Sequence, residues 1–150
     1  MATTAADSIL VDTNVLLAAS TPARARHLEA LSVLRDWPGK GHSLFCTGQI
    51  LREYLVVATR PLDKNGLGLN WPDASHNLRV FASRLKFLDE NEAVSKRLGK
   101  LLNSIPCLGK QIHDANLVAC ALVHGVKGIV TENLQDFLLF QGVVRIIELP

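Results

Sequence analysis

In QIHDANLVACALVHG, residues 111–125, a carboxylate stands at the mouth of an otherwise apolar segment about three helical turns long. Two chemistries compete for this Asp114. An acid near a helix start accepts backbone N–H bonds and suits the positive end of the dipole. An acid set beside other acids needs a cation to keep them all ionised at neutral pH. Other carboxylates hold comparable positions. Asp12 follows the apolar run SILV and precedes TNVLLAAS, where a buried strand would pass into a helix. Glu53 lies three residues after Ile50, on the margin of a helical stripe of Ile50, Tyr54, Val57 and Ala58. Its side chain either snorkels to water, pairs with Arg52 or Arg60, or faces a cleft beside further carboxylates. Mg²⁺ or Mn²⁺ suits a cluster of such oxygen ligands best.

The pattern along the chain supplies elements to carry these acids. SILVD predicts a strand feeding the helix TNVLLAAS, and ARHLEALSVLRDW predicts a helix with Leu28, Leu31 and Leu34 at helical spacing, ended by PGKGH. SLFCT is a second strand, followed by the helix GQILREYLVVAT, which stops before Pro61, and by a turn-rich loop. DASHNLRVFASR restarts a helix with Asp73 as its expected cap, LKFLD is a third strand, and ENEAVSKRLGKLLNSI an amphipathic helix. After the segment of Asp114, KGIVT reads as strand, NLQDFLLF as a helical turn and VVRIIEL as the last strand. Strands alternating with helices predict an α/β fold, a parallel sheet of four to five strands with helices on both faces, because parallel neighbours need crossovers. Sites in such sheets lie beyond the carboxyl ends of strands. Asp12 and the group Thr131, Glu132 and Asn133 should therefore reach one edge.

Composition narrows the remaining classes. A chain of 150 residues has the size of one domain, expected over 1–150, and its 48% hydrophobic and 20% charged residues are those of a globular protein. A net charge of +2 is too small to make the whole surface a nucleic-acid magnet. Cys46, Cys107 and Cys120 are odd in number and widely spaced, which argues against a disulfide framework or zinc site and for reduced thiols. The start, MATTAADSILVD, lacks a basic leader pattern, and no run of about 18 apolar residues occurs, so a cytoplasmic protein with no membrane partner is expected. GxSxG, HExxH, a Walker loop and GxGxxG are all absent, which agrees with chemistry in which no side chain need act as nucleophile.

ILVDTNVLL, ILREYLVVATRP, HDANLVACAL and IVTENLQDF follow one another in the order and at the spacing of PIN-domain ribonucleases. Across nearly the whole chain the sequence resembles that family, most closely its VapC-like toxins of toxin–antitoxin pairs. The resemblance implies an acidic cluster that binds Mg²⁺ or Mn²⁺ and hydrolyses RNA, leaving a 5′-phosphate. By motif match Asp12, Glu53 and Asp114 are the core metal-binding acids, with Asp12 bridging two metals, and Asn14 and Thr131 orient them. Many relatives carry an Asp two residues after the motif threonine; Asn133 stands there, and either it coordinates through its amide oxygen or Asp136 completes the quartet. The family also implies a homodimer and a cognate antitoxin, a small protein that lays an amphipathic segment along a groove near the acids.

RNA must also be held. Between Ala93 and His113 there is no acid, while Lys96, Arg97, Lys100 and Lys110 accumulate, and Arg24 and Arg26 mark the loop after the first helix. These six residues would line a phosphate track, or the lysine-bearing helix simply presents a solvated face. His113, Trp37 and Trp71 admit either contact with RNA or ordinary packing. Two other classes compete with the nuclease. DTN lacks the second acid of the haloacid-dehalogenase phosphatase signature, and Asn133 leaves room for a degenerate PIN module that binds RNA or a protein without cutting.

Overall fold

The computed structural model describes residues 7–150; residues 1–6, the start of the stretch lacking a basic leader pattern, lie outside them. Five parallel strands form one sheet: β1 (Ser8–Val11), β2 (Ser43–Thr47), β3 (Lys86–Leu88), β4 (Gly128–Thr131) and β5 (Arg145–Glu148). Their order is β3-β2-β1-β4-β5. Seven helices connect and flank them: α1 (Thr13–Ser20), α2 (His27–Asp36), α3 (Gly48–Thr59), α4 (Trp71–Arg84), α5 (Glu92–Ser104), α6 (Gln111–Val123) and the single turn α7 (Leu134–Phe137). Ile9, Leu10 and Val11 are all buried, as are Ile129 and Val130. Successive side chains of a strand point to opposite faces, so unbroken burial means that both faces of β1 and β4 are covered. Helical crossovers between successive strands explain the fully parallel pairing.

The topology fixes where a site can form. From β1 the chain goes to β2 on one side of it, and β4 is laid on the other, with Leu10 opposite both Phe45 and Ile129. Order therefore reverses between β1 and β4, and the crevice beyond their carboxyl ends is the switch point at which open α/β sheets bind ligands. Asp12 follows β1 there and Thr131 ends β4.

Several local expectations are corrected. In α2 the buried positions are Ala30, Val33 and Leu34, whereas Leu28 is 76% exposed, so the inward stripe is rotated from the leucine spacing toward smaller side chains. Asp73 does not cap α4. Asn70 does, accepting the Asp73 N–H at 2.9 Å, because Trp71 and Pro72 already form the first turn and Asp73 falls inside it. The cysteines are free, Cys46 and Cys120 buried and Cys107 partly so. Among the described residues no helix is long and apolar enough to cross a membrane.

Candidate active site

Asp12 caps α1 and is 7% exposed. Both of its oxygens are engaged: Oδ1 accepts the Thr13 N–H and Oδ2 accepts the Thr131 hydroxyl, each at 2.8 Å. Thr131 Oγ1 in turn accepts from the Asn133 N–H at 3.0 Å and from Asn14 Nδ2 at 3.4 Å, and Asn14 Oδ1 accepts the Glu132 N–H at 3.1 Å. These bonds tie the ends of β1 and β4 into one floor. Glu53 on α3 approaches the same floor, its Oε2 accepting the Thr13 hydroxyl and its Oε1 accepting Gln49 Nε2, both at 2.9 Å. It forms no ion pair with Arg52 or Arg60; the ion pairs of the described residues are Arg26–Glu29, Lys96–Glu92 and Arg145–Asp7.

Gln49 is the joint between two helices. Buried at 7% exposure, it donates to Glu53 and to the His113 carbonyl at 3.2 Å, while its Oε1 accepts Asn116 Nδ2 at 2.9 Å. Its backbone N–H donates to Glu90 Oε1 at 2.9 Å. An amide can donate and accept at once, so Gln49 satisfies α3 and α6 together. Asp114 lies in the first turn of α6, yet no hydrogen bond to its carboxylate is found among the described residues, and Lys110 at the cap position makes no side-chain cap bond. The capping account of Asp114 thus fails on geometry.

Asp114 faces a cleft of about 700 Å³ shared with Asp12, Glu53, Asp136, Asn14 and Asn133. Burial pushes Asp12 from 3.8 up to about 6, opposed by its bonds to Thr131 and Thr13 and reinforced by the charges of Glu53 and Asp136. Asp114 is pushed higher, to about 7, by burial first and then by Asp12, Asp136 and Glu53. Lacking the hydrogen bonds that hold Asp12 ionised, it takes the larger rise. Asp136 acts on both acids, and both it and Asn133 line the cleft, so the structure brings the two candidates for the fourth position together.

A PIN-domain family model matches residues 9–137. The chain belongs to the PIN-domain family. No curated protein matches it in sequence. Among solved structures this PIN domain is similar to VapBC2 from Rickettsia felis bound to a promoter DNA fragment, at 16% identity and TM-score 0.67 over 94% of this chain and 98% of that one. It is also similar to a toxin–antitoxin complex from Klebsiella pneumoniae, at 20% identity and TM-score 0.63 over 93% and 95% of the two chains. A third is VapC20 from Mycobacterium tuberculosis, a sarcin–ricin loop cleaving toxin, at 16% identity and TM-score 0.61 over 81% and 86%. At these identities the likeness is one of fold.

The oxygen donors lining the cleft of this PIN domain suit a hard cation by chemistry, being four carboxylates and three side-chain amides with no thiol or imidazole among them. Among the described residues no three acidic, imidazole or thiol side chains stand close enough to grip one ion as they are. The cluster is open rather than caged. A cation here would be held by one or two of these carboxylates, with water and a phosphate completing its shell.

Of the six basic residues expected along RNA, only Lys110 lines the acid cleft. Lys96 pairs with Glu92 at 3.0 Å on an exposed turn of α5, and Arg97 and Lys100 border a separate depression with Leu101, Ser104 and Val143. Arg24 donates to the Asn65 carbonyl at 3.3 Å. Arg26 is occupied with the carbonyls of Leu149 and Pro150 and with Glu29. Trp37 packs against the core and Trp71 is 61% exposed at the start of α4. Sequence reasoning missed Thr13, Gln49 and Asn116, and did not place Arg52 and Arg60 at the cleft. Helical spacing held a signal for two of these, since Gln49 is one turn before Glu53 and Arg60 two turns after it. Asn116 had none, because its partner sits on another helix.

Proposed function

We propose that this PIN domain, taken as one unit over residues 1–150, is a metal-dependent ribonuclease and the toxin of a toxin–antitoxin pair acting in the cytoplasm. The observation that carries the nuclease reading is the convergence of Asp12, Glu53, Asp114 and Asp136 on one cleft at the sheet's switch point. The toxin role is supported by PIN membership together with the toxin–antitoxin complexes among its fold neighbours. A cognate antitoxin and a second copy of the chain are the partners this reading requires.

When bound, Mg²⁺ or Mn²⁺ supplies positive charge that lowers the pKa of an attacking water and offsets charge developing on the phosphate and its leaving oxygen. The chain's own residues prepare for that charge. Thr131 and Thr13 fix the Asp12 carboxylate in one orientation, each oxygen keeping a further lone pair for another partner. Thr13 and Gln49 fix Glu53 in the same manner. Asp114 has no such restraint and can turn to meet a cation or hold a proton on its carboxylate in the cation's absence. Asp136 adds charge to the same cleft, with the Asn133 amide oxygen as a neutral donor. Asn14 acts through Thr131 and the Glu132 backbone.

Residues that orient such acids matter nearly as much as the acids themselves; losing one typically costs about 10–100-fold in metal affinity or activity. Gln49→Leu is therefore expected to lower the cleavage rate by about tenfold or more and raise the Mn²⁺ concentration required, since Glu53 loses its Nε2 donor. Gln49→Glu is expected to be worse at pH 8, setting a like charge against Glu53. Rates at several Mn²⁺ concentrations, with melting curves to confirm folding, check both.

A module that binds RNA without cutting is the second reading, which Asn133 in place of an acid favours. Incubation of a labelled RNA with the protein in Mn²⁺ separates the two. Scission leaving 5′-phosphate ends supports the ribonuclease, and RNA retained intact on the folded protein overturns it.

A further inference from the structure

The acid cleft has a second wall that the catalytic reading does not use. Arg52, Arg60 and Lys110 all line it, three cations beside four carboxylates, yet none of the ion pairs of the described residues joins the two sets. Lys110 and Asp114 are one turn apart at the start of α6, a spacing at which opposite charges can meet, and do not pair. Helix geometry sets the layout along α3. Glu53, Val56 with Val57, and Arg60 follow one stripe, which places the Arg60 backbone about 10 Å along the axis from that of Glu53. Between the acids and Arg60 the cleft is floored by Leu17, Val56 and Val57, with Val56 58% exposed. Asn65 also joins the lining, its carbonyl accepting a hydrogen bond from Arg24.

The acids with Arg52 and Lys110 beside them, the apolar stretch and Arg60 beyond it line one cleft. We propose that Arg52, Arg60 and Lys110 bind the phosphates of a single-stranded RNA flanking the one that lies over the acids, so that the strand runs along α3 and not along α5. This rests on the ribonuclease reading and deepens it. A strand whose reacting phosphate is held at the acids necessarily brings neighbouring phosphates into the same groove, and free guanidinium and ammonium groups are what such phosphates recruit. The apolar floor suits ribose and base faces rather than charge. An acidic protein segment fits less well, because its carboxylates would meet four others in this cleft. The basic residues of α5 are otherwise disposed: Lys96 is paired with Glu92, and Arg97 and Lys100 border a depression that contains no acid.

The test titrates a short single-stranded RNA onto the full chain in Ca²⁺, to allow binding while suppressing cleavage, at several salt concentrations. The double variant Arg52→Gln/Arg60→Gln is expected to bind at least about tenfold more weakly, with a salt slope shallower by about 0.7 for each phosphate that is no longer neutralised. Arg52→Lys/Arg60→Lys should recover most of the slope, which repair of a purely structural defect by charge alone would not do. The α5 triple variant Lys96→Gln/Arg97→Gln/Lys100→Gln is expected to bind as the wild type does. If the wild type binds RNA and the double variant matches it in affinity and slope, the groove assignment is overturned, the ribonuclease reading stands, and an acidic protein partner becomes the occupant of this wall. If the wild type binds no RNA in Ca²⁺ and cuts none in Mn²⁺, both readings fall together.

Discussion

Asp114→Asn is expected to reduce RNA cleavage by at least about two orders of magnitude and, at pH 8 without divalent metal, to raise the melting temperature rather than lower it. The loss follows from removing charge that a cation needs, since a neutral amide is a poor substitute for a carboxylate toward Mg²⁺. The gain follows from the geometry of the same residue. Its carboxylate has no hydrogen bond among the described residues and sits among Asp12, Asp136 and Glu53, so ionisation costs the folded state and an isosteric amide relieves that cost. Asp12→Asn should abolish activity as fully but without the stabilisation, because Asp12 accepts two hydrogen bonds that an amide only partly replaces. Rates on a labelled RNA and melting curves for the three proteins check both halves. A folded Asp114→Asn protein that cleaves at the wild-type rate removes this residue from the site.

Stability of the metal-free protein is expected to fall as pH rises from about 4 through about 7. Asp12 and Asp114 titrate near 3.8 in the unfolded chain and at about 6 and about 7 in the fold. Between these limits the folded protein holds protons that the unfolded chain has released, so proton binding favours folding at the acid end and that advantage is lost as pH rises through the folded values. For Asp12 alone the cost of ionisation is about 3 kcal/mol. A bound cation reverses the balance by rewarding the ionised carboxylates, so the stabilisation by Mn²⁺ should grow with pH, as should cleavage, between about 6 and 7. Melting curves in EDTA and in Mn²⁺ from pH 5 to 8 give the comparison. A melting temperature in EDTA that is flat over that range, or equal in wild type and Asp114→Asn, would falsify the electrostatic account.

Much of this was legible before the fold. Buried parallel strands announce themselves as unbroken apolar runs, and SILV and GIVT became β1 and β4, with Asp12 and Thr131 at their carboxyl ends. Helical periodicity put Glu53 at the edge of a core-facing stripe, and it faces the cleft. What failed to show is of a different kind. Hydrogen bonds between residues remote in sequence, such as Asn116 to Gln49 across 67 positions, leave no periodic trace. Charged residues that are neighbours along the chain need not share a cleft in the fold. Lys96, Arg97 and Lys100 stand together in sequence but do not line the acid cleft, whereas Arg52, Arg60 and Lys110 come to line it only when α3 and α6 meet. Capping was equally ambiguous: Asp73 and Asp114 both occupy first turns, and neither is the cap.

Binding of Mn²⁺ to the metal-free protein at pH 8, titrated calorimetrically for the wild type and for Asp12→Asn with cleavage assayed on the same samples, tests the acid cleft most directly. The wild type should bind Mn²⁺ with release of protons and cut RNA only once Mn²⁺ is present, while folded Asp12→Asn should lose most of both. Equal Mn²⁺ affinity in the two proteins, or wild-type cleavage that persists in EDTA, would contradict a metal-dependent site built on these carboxylates.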